Sequence, residues 1–189
     1  MQARSVTELI DILANGERVK YLPFWGHHPH RDGAVGASCL SQWWPAEFTV
    51  DGRAFRTTEH FMMWRKAMLF GDAAIAEQVL AAGHPGEAKS LGRRISRFDE
   101  TLWQTHRYAI VVTGNIAKFG QNNELQRFLL HTGDRVLVEA SPVDRIWGIG
   151  LTADDPRAED PTRWQGLNLP GFALMEARAT LRAAPKVEP

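Results

Sequence analysis

The apolar positions along this chain change period several times, and each change marks an element. Ser5-Val6-Thr7-Glu8 has the Ser-x-x-Glu form in which side chains satisfy the free N–H groups of a first helical turn. It predicts a short helix that Asn15-Gly16 ends. Val19, Tyr21, Phe24 and Trp25 then give a strand over 19–25, which breaks into a loop rich in Gly, Pro and His over 26–37. Residues 47–50 and 53–56 flank Asp51-Gly52, a pair suited to the positive φ values of a tight hairpin turn. After the hairpin the period becomes helical. Thr57 and Thr58 are cap candidates for a helix over 59–70 closed by Gly71, on which Phe61, Trp64 and Met68 can face the core. Asp72 can cap a helix to about 82, and 85–94 is a further short one. Asp99 opens a long helix in which Leu102, Trp103, His106, Ile110, Thr113, Ile116, Ala117 and Phe119 recur on one side as far as Gly120. One more helix over 123–131 leads through Thr132-Gly133-Asp134 into an alternating, β-branched strand over 135–140. A polar loop over 152–163 precedes a last helix over 172–182.

These elements predict an α+β fold: one compact, mainly helical domain with a small β-sheet. Its expected parts are an N-terminal helix over 1–18, a core over 19–182 and a disordered tail over 183–189. Composition changes this picture little but excludes some functions. Lys plus Arg (22) equals Asp plus Glu (22), so no global field gathers nucleic acid or draws the chain to an anionic membrane. Any nucleic-acid contact must come from a local basic patch. The single Cys39 forbids an internal disulfide, and no run of apolar residues is long enough to span a bilayer, which fits a cytoplasmic protein.

Two stretches carry candidate chemistry. Asp144-Arg145-Ile146-Trp147-Gly148-Ile149-Gly150 joins a carboxylate, a guanidinium, an aromatic plane and flexible glycines just after the strand that delivers them. The bland alternative is an ordinary turn in which Asp144 caps or pairs with Arg145. On the 59–70 helix, Glu59 and Lys66 lie seven residues apart, within about 20° of one face and roughly 10.5 Å apart along the axis. Met62 and Met63 stand between them. Such a pair can grip opposite ends of one ligand, or each can sit in solvent where the helix macrodipole favours it. That dipole should also keep Glu59 ionised. Lys89, Arg93, Arg94 and Arg97 read equally as a solvated face or a phosphate cradle. His27, His28 and His30 form only a weak metal signal in a loop without cysteine partners, and no metal or redox cofactor is expected. Lys118-Phe119 reads as structural and Cys39 as a small loop residue.

The ordered blocks together resemble a known family. They are Trp44-Pro45, Val50-Asp51-Gly52, Thr58-Glu59-His60-Phe61 with Lys66-Ala67, Ala88-Lys89-Ser90-Leu91-Gly92-Arg93, Trp103, Ala117-Lys118-Phe119, Thr132-Gly133-Asp134, Leu137-Val138-Glu139-Ala140, the Asp144–Gly150 block, and Trp164 through Leu174-Met175-Glu176-Ala177-Arg178. In that order they resemble the NADAR, or YbiA-like, family from about Phe24 to Leu181. The resemblance implies a compact α+β fold and an N-glycosidase acting on ribosylated amines. One branch of the family hydrolyses phosphoribosylamino pyrimidines of riboflavin synthesis, and another removes ADP-ribose from guanine in nucleic acid. By motif it implies Glu59, Lys66 and Asp144 as catalytic candidates, with Trp44, Arg93, Trp103, Trp147 and Gly148 binding substrate. Two departures bear on the substrate. The 26–41 segment is longer than in the short riboflavin-pathway members, and Met63 and Arg65 replace two glutamines common in the helix. The expected partner is ADP-ribose or a phosphoribosyl-type small molecule, with ADP-ribosylated DNA or RNA reached through the basic patch. A non-catalytic ADP-ribose or nucleotide binding module is the alternative from another class.

Overall fold

The computed structural model describes residues 3–28 and 34–184. Helix α1 (Val6–Ala14) is capped by Ser5, whose hydroxyl accepts from the Glu8 N–H at 3.2 Å, while Glu8 reaches back to the Arg4 N–H at 2.8 Å. Strand β1 (Tyr21–Phe24) leads to the loop that carries His27 and His28; His30 lies outside the described residues, as do residues 185–189 of the expected tail. A 3-10 turn (Ala37–Leu40) not foreseen in the sequence ends this loop. Strands β2 (Phe48–Val50) and β3 (Arg53–Phe55) form the expected hairpin, with Asp51 at φ 51° and Gly52 at φ 74°.

The helices follow from their caps. Thr57, Asp72 and Asp99 each accept an N–H of the first turn of α2 (Thr58–Leu69), α3 (Ala73–Ala81) and α5 (Glu100–Gln121). Each such cap contributes about 1 kcal/mol. Between them stands α4 (Pro85–Gly92), with Pro85 in its first turn where no N–H is needed. Helix α6 (Asn123–His131) precedes strand β4 (Val136–Glu139), and α7 (Leu169–Ala183) starts earlier than its apolar spacing suggests.

The strands form two separate pairs, β2 with β3 antiparallel and β1 with β4 parallel, where Phe24 is opposite Glu139. A lone parallel pair leaves β4 with an open edge. Asn168 closes it: fully buried and in the left-handed region at φ 51°, it accepts the Glu139 N–H at 2.9 Å and donates to the Leu137 carbonyl at 2.9 Å. Gly171 makes the approach possible, because a Cβ there would lie 2.1 Å from the Leu137 oxygen.

Two apolar clusters fill the interior. One joins the hairpin to α2, α3, α4 and one side of α5; the other gathers α1, β1, β4, α6 and α7 around Phe119, Leu137 and Phe172. Fully burying each such side chain contributes about 1.5–3 kcal/mol. Phe61 and Trp64 are core as expected, but Met68 is 48% exposed, since it falls on the outer side of α2. No helix among the described residues is long and apolar enough to cross a membrane.

Candidate functional site

A cleft opens at the seam between the two clusters. Helix α2 gives it Glu59, Met62, Met63 and Lys66, and α4 with its cap gives Lys89, Gly92 and Arg93. Trp103 comes from α5, Ser41, Gln42 and Trp43 from the segment before the hairpin, and Glu139, Asp144 and Trp147 from the end of β4 and its loop. It encloses about 710 Å³ with the open space at its mouth included. The two stretches singled out in the sequence therefore meet in space. Glu59, Lys66, Arg93, Trp103, Asp144 and Trp147 all line one cavity.

Two expected binding residues do not. Trp44 packs in the second core cluster, 8% exposed, and its neighbour Trp43 lines the cleft instead. Gly148 is buried beneath the loop, where a Cβ would lie 2.7 Å from the Ser141 Cβ and 2.9 Å from the Asp144 oxygen. Its lack of a side chain serves loop packing rather than ligand approach. Of the two departures in α2, Met63 lines the cleft, whereas Arg65 is exposed in another depression with Met68 and His106.

Glu59 is the most constrained group. Its backbone N–H donates to the Gln42 carbonyl at 3.0 Å and its side chain is buried, 4% exposed. Trp43 gives its carboxyl one hydrogen bond, while Oε1 has no partner. Burial pushes its pKa up to about 7, against the pull of Lys89 and the Trp43 hydrogen bond and with a smaller push from the charge of Asp144. This corrects the expectation of a permanently ionised Glu59. A helix N-terminus is worth about 0.3–1 kcal/mol, whereas burying a carboxylate costs several. Near neutral pH the group can both hold and give up a proton.

Lys66 is half-buried. Its Nζ donates to the Gly92 carbonyl at 3.1 Å and lies 4.3 Å from the Phe98 ring centre and 5.4 Å from that of Trp103. Burial lowers its pKa, with Glu100 and Glu59 opposing, which shifts the amine toward its neutral, nucleophilic form. Lys89 sits 5.9 Å from the Trp43 ring centre, at the cleft wall, while Arg93 is exposed at the end of α4. Of the basic run, Lys89 and Arg93 reach the cleft.

Asp144 is partly occupied in local structure: its Oδ1 accepts the N–H of Ile146 at 3.0 Å and of Trp147 at 2.8 Å. The turn reading is realised, and the same turn places Asp144 and Trp147 at the cleft wall. Gln42 was not picked out by the sequence. It is buried, and its Nε2 donates to Asn115 Oδ1 at 3.2 Å while its Oε1 has no partner. Glu139 was also missed, although a carboxylate at the end of an apolar β-branched run was a readable signal. No group of three or more His, Cys, Asp or Glu able to hold a metal occurs among the described residues.

Comparison with known proteins bears on this geometry. The model of the NADAR domain matches residues 23–182. The chain belongs to the NADAR family. It is 40% identical to an N-glycosidase of Acanthamoeba polyphaga mimivirus over 167 residues, covering 86% of this chain and 96% of that one. The N-glycosidase YbiA of Escherichia coli is 30% identical over 138 residues, 73% of this chain and 76% of its own. The NMR structure of E. coli YbiA superposes with a TM-score of 0.69 at 25% identity, covering 88% of this chain and 87% of that one. A riboflavin biosynthesis protein of Vibrio vulnificus is 32% identical over 111 residues, 59% of this chain but only 29% of its own length. The NADAR protein described here is an enzyme of the N-glycosidase class.

Proposed function

We propose that this NADAR N-glycosidase hydrolyses the bond between ribose C1 and an exocyclic amine in an ADP-ribosyl substrate, releasing ADP-ribose from modified guanine in nucleic acid. The observation that carries the reading is Glu59: a buried carboxyl with one unpartnered oxygen, in the same cleft as the half-buried amine of Lys66. Breaking a C1–N bond builds positive charge on the sugar, and a carboxylate across a dry wall stabilises that charge more than it would in water.

The remaining groups fit the rest of such a molecule. Lys89 and Arg93 offer charge for phosphates, and Trp43, Trp103 and Trp147 offer planes for base or ribose. Asp144 adds a second carboxylate near the anomeric centre, as glycoside hydrolysis requires. An exocyclic N-riboside opens to an imine. The Lys66 amine can add to C1, expel the base as its free amine and leave an imine on Nζ; water then releases the sugar as an aldehyde and regenerates the lysine.

The similarity to a riboflavin biosynthesis protein supports a second reading, in which the substrate is a phosphoribosylaminopyrimidine. Incubation with ADP-ribosylated guanine DNA and, separately, with ribosylaminopyrimidine phosphate separates the two by the product released. Borohydride added during turnover should trap a ribosyl adduct on Lys66, and Lys66→Arg should lose turnover while keeping its charge. An active Lys66→Arg enzyme with no trapped adduct leaves direct attack by water.

A further inference from the structure

The C-terminal end of β4 puts into the cleft a carboxyl that belongs to the Leu137–Ala140 block but has been given no role. Val136, Leu137 and Val138 are buried, and a strand so enclosed ordinarily ends in apolar or neutral residues. Instead it ends in Glu139, which lines the same cavity as Glu59 and Asp144. Its backbone is held from both edges. The N–H donates to Asn168 Oδ1 at 2.9 Å, and the carbonyl accepts from Ser141 at 2.9 Å and Ile149 at 3.0 Å. With Phe24 opposite it in the parallel pair, the backbone of Glu139 is fixed at the cleft wall.

We propose that Glu139 is a third catalytic carboxyl of this cleft, beside Glu59 and Asp144, sharing one proton with Glu59 and delivering it to the departing amine. This rests on the N-glycosidase reading of the site. Two carboxyls lining one cleft, Glu59 buried and Glu139 partly so, oppose each other's ionisation, so near neutral pH the pair carries one proton. The surrounding groups decide which carboxyl holds it. Glu59 has the Trp43 hydrogen bond and the charges of Lys89 and Arg93, all of which favour its anion. Glu139 has Lys89 alone in its favour and faces Asp144 and Glu59. Burial and those two negative neighbours push its pKa up to about 8. Lys66 completes the set of charged groups on the cleft wall, and it faces the sugar from α2.

The exchange closes without any further reactant. As the C1–N bond breaks, its electron pair returns to nitrogen, the Glu139 proton joins it, and the base leaves as a neutral amine. Glu59, ionised, faces the positive C1. When water adds to C1, directly or after Lys66, its proton passes to the carboxylate pair and restores the starting state. The net reaction consumes one water.

Two measurements on the full chain test this. The first needs no substrate: titration of ¹³C-labelled glutamate carboxyls by NMR in wild type and in Glu59→Gln. Sharing predicts that Glu59→Gln lowers the Glu139 midpoint, because the negative neighbour that holds the proton on Glu139 is gone. An unmoved Glu139 midpoint overturns the shared proton. The second is the pH–rate profile on whichever substrate is turned over. Glu139→Gln should lower kcat on the order of 100-fold with little change in KM, and should remove the alkaline limb of the profile, where the acid is lost. An unchanged kcat and an unchanged limb overturn the catalytic role even if Glu59→Gln is inactive. Failure of the wild type on both substrates would instead sink the proposed function, with the titration still deciding whether the proton is shared.

Discussion

Two regions of this protein bury charged or polar side chains, and they do so in opposite ways. Around Lys118, Arg178 and Asn168 every buried group is used. Lys118, fully buried on α5, donates to the Cys39 carbonyl at 2.7 Å and the Ser41 carbonyl at 2.9 Å. Arg178 on α7 donates to Thr132 Oγ1 at 2.7 Å and the Arg135 carbonyl at 3.0 Å, fixing the turn that starts β4. At the cleft and just behind it, by contrast, Glu59 Oε1, Gln42 Oε1 and Asn115 Nδ2 have no partner. An unpartnered buried polar atom costs about 1–3 kcal/mol. The first region spends polar groups to hold backbone in place; the second leaves buried polar atoms at and behind the cleft without partners. The regions are physically joined, since Lys118 anchors the segment from which Gln42 and Trp43 reach the cleft.

The sharpest way to break this contrast is to neutralise one member of each region. Glu59→Gln keeps the volume and deletes the charge opposite C1. Turnover should fall on the order of 100-fold or more, while the circular dichroism spectrum stays that of the wild type. A variant that keeps near-wild-type turnover would show Glu59 to be a structural cap. Lys118→Met should do the reverse to folding. It removes the donor from two buried carbonyls and should lower the unfolding free energy by about 1–3 kcal/mol in urea titration. An equally stable Lys118→Met protein would mean that the lysine's desolvation outweighs its hydrogen bonds.

A smaller effect is expected at Trp147, which belongs to both worlds: it packs against the first core cluster and lines the cleft. Trp147→Ala should weaken ADP-ribose binding by roughly tenfold in calorimetric titration, the lower part of the 1–3 kcal/mol range for a base on an aromatic plane. Unchanged affinity would assign the indole to packing alone.

What was legible in the sequence was local. Ser5, Thr57, Asp72 and Asp99 announce helices because a cap acts within one turn, and Asp51-Gly52 announces its hairpin because two positive φ values are needed there. The face shared by Glu59 and Lys66 was also readable, since helical geometry alone sets it. Four features were not. The parallel pairing of β1 with β4 is a long-range event, and it is what carries Glu139 to the start of α2. Trp43 and Trp44 are adjacent and chemically alike, so the choice between cleft and core falls to the path of the chain after the 3-10 turn. The protonation of Glu59 depends on burial by elements remote in sequence, which overrides the local helix-start effect. Asn168 belongs with these, because only the bare edge of a two-stranded sheet explains a buried asparagine at positive φ.

The finest test of the contrast is the pH dependence of stability, where the two regions carry opposite signs. Burial raises Glu59 to about 7 and Glu139 to about 8 from an ordinary 4.5. The folded state therefore holds more protons than the unfolded chain between those values, and their contribution to stability is lost as pH rises from about 4.5 toward 8. Burial lowers Lys118 from 10.5 to about 7, so the folded state holds fewer protons above that pH and its cost is relieved as pH rises from 7 to 10.5. Unfolding free energies by urea at pH 5, 7 and 9 should accordingly fall over the first interval and flatten or recover over the second. Each fully titrating group changes the slope by at most about 1.4 kcal/mol per pH unit. Glu59→Gln should flatten the fall and Lys118→Met should remove the recovery. A Glu59→Gln protein that loses stability from pH 5 to 7 as steeply as the wild type would show that this carboxyl is not held back from ionising in the fold, and with it the contrast between a paired interior and a withheld site would fail at its central residue.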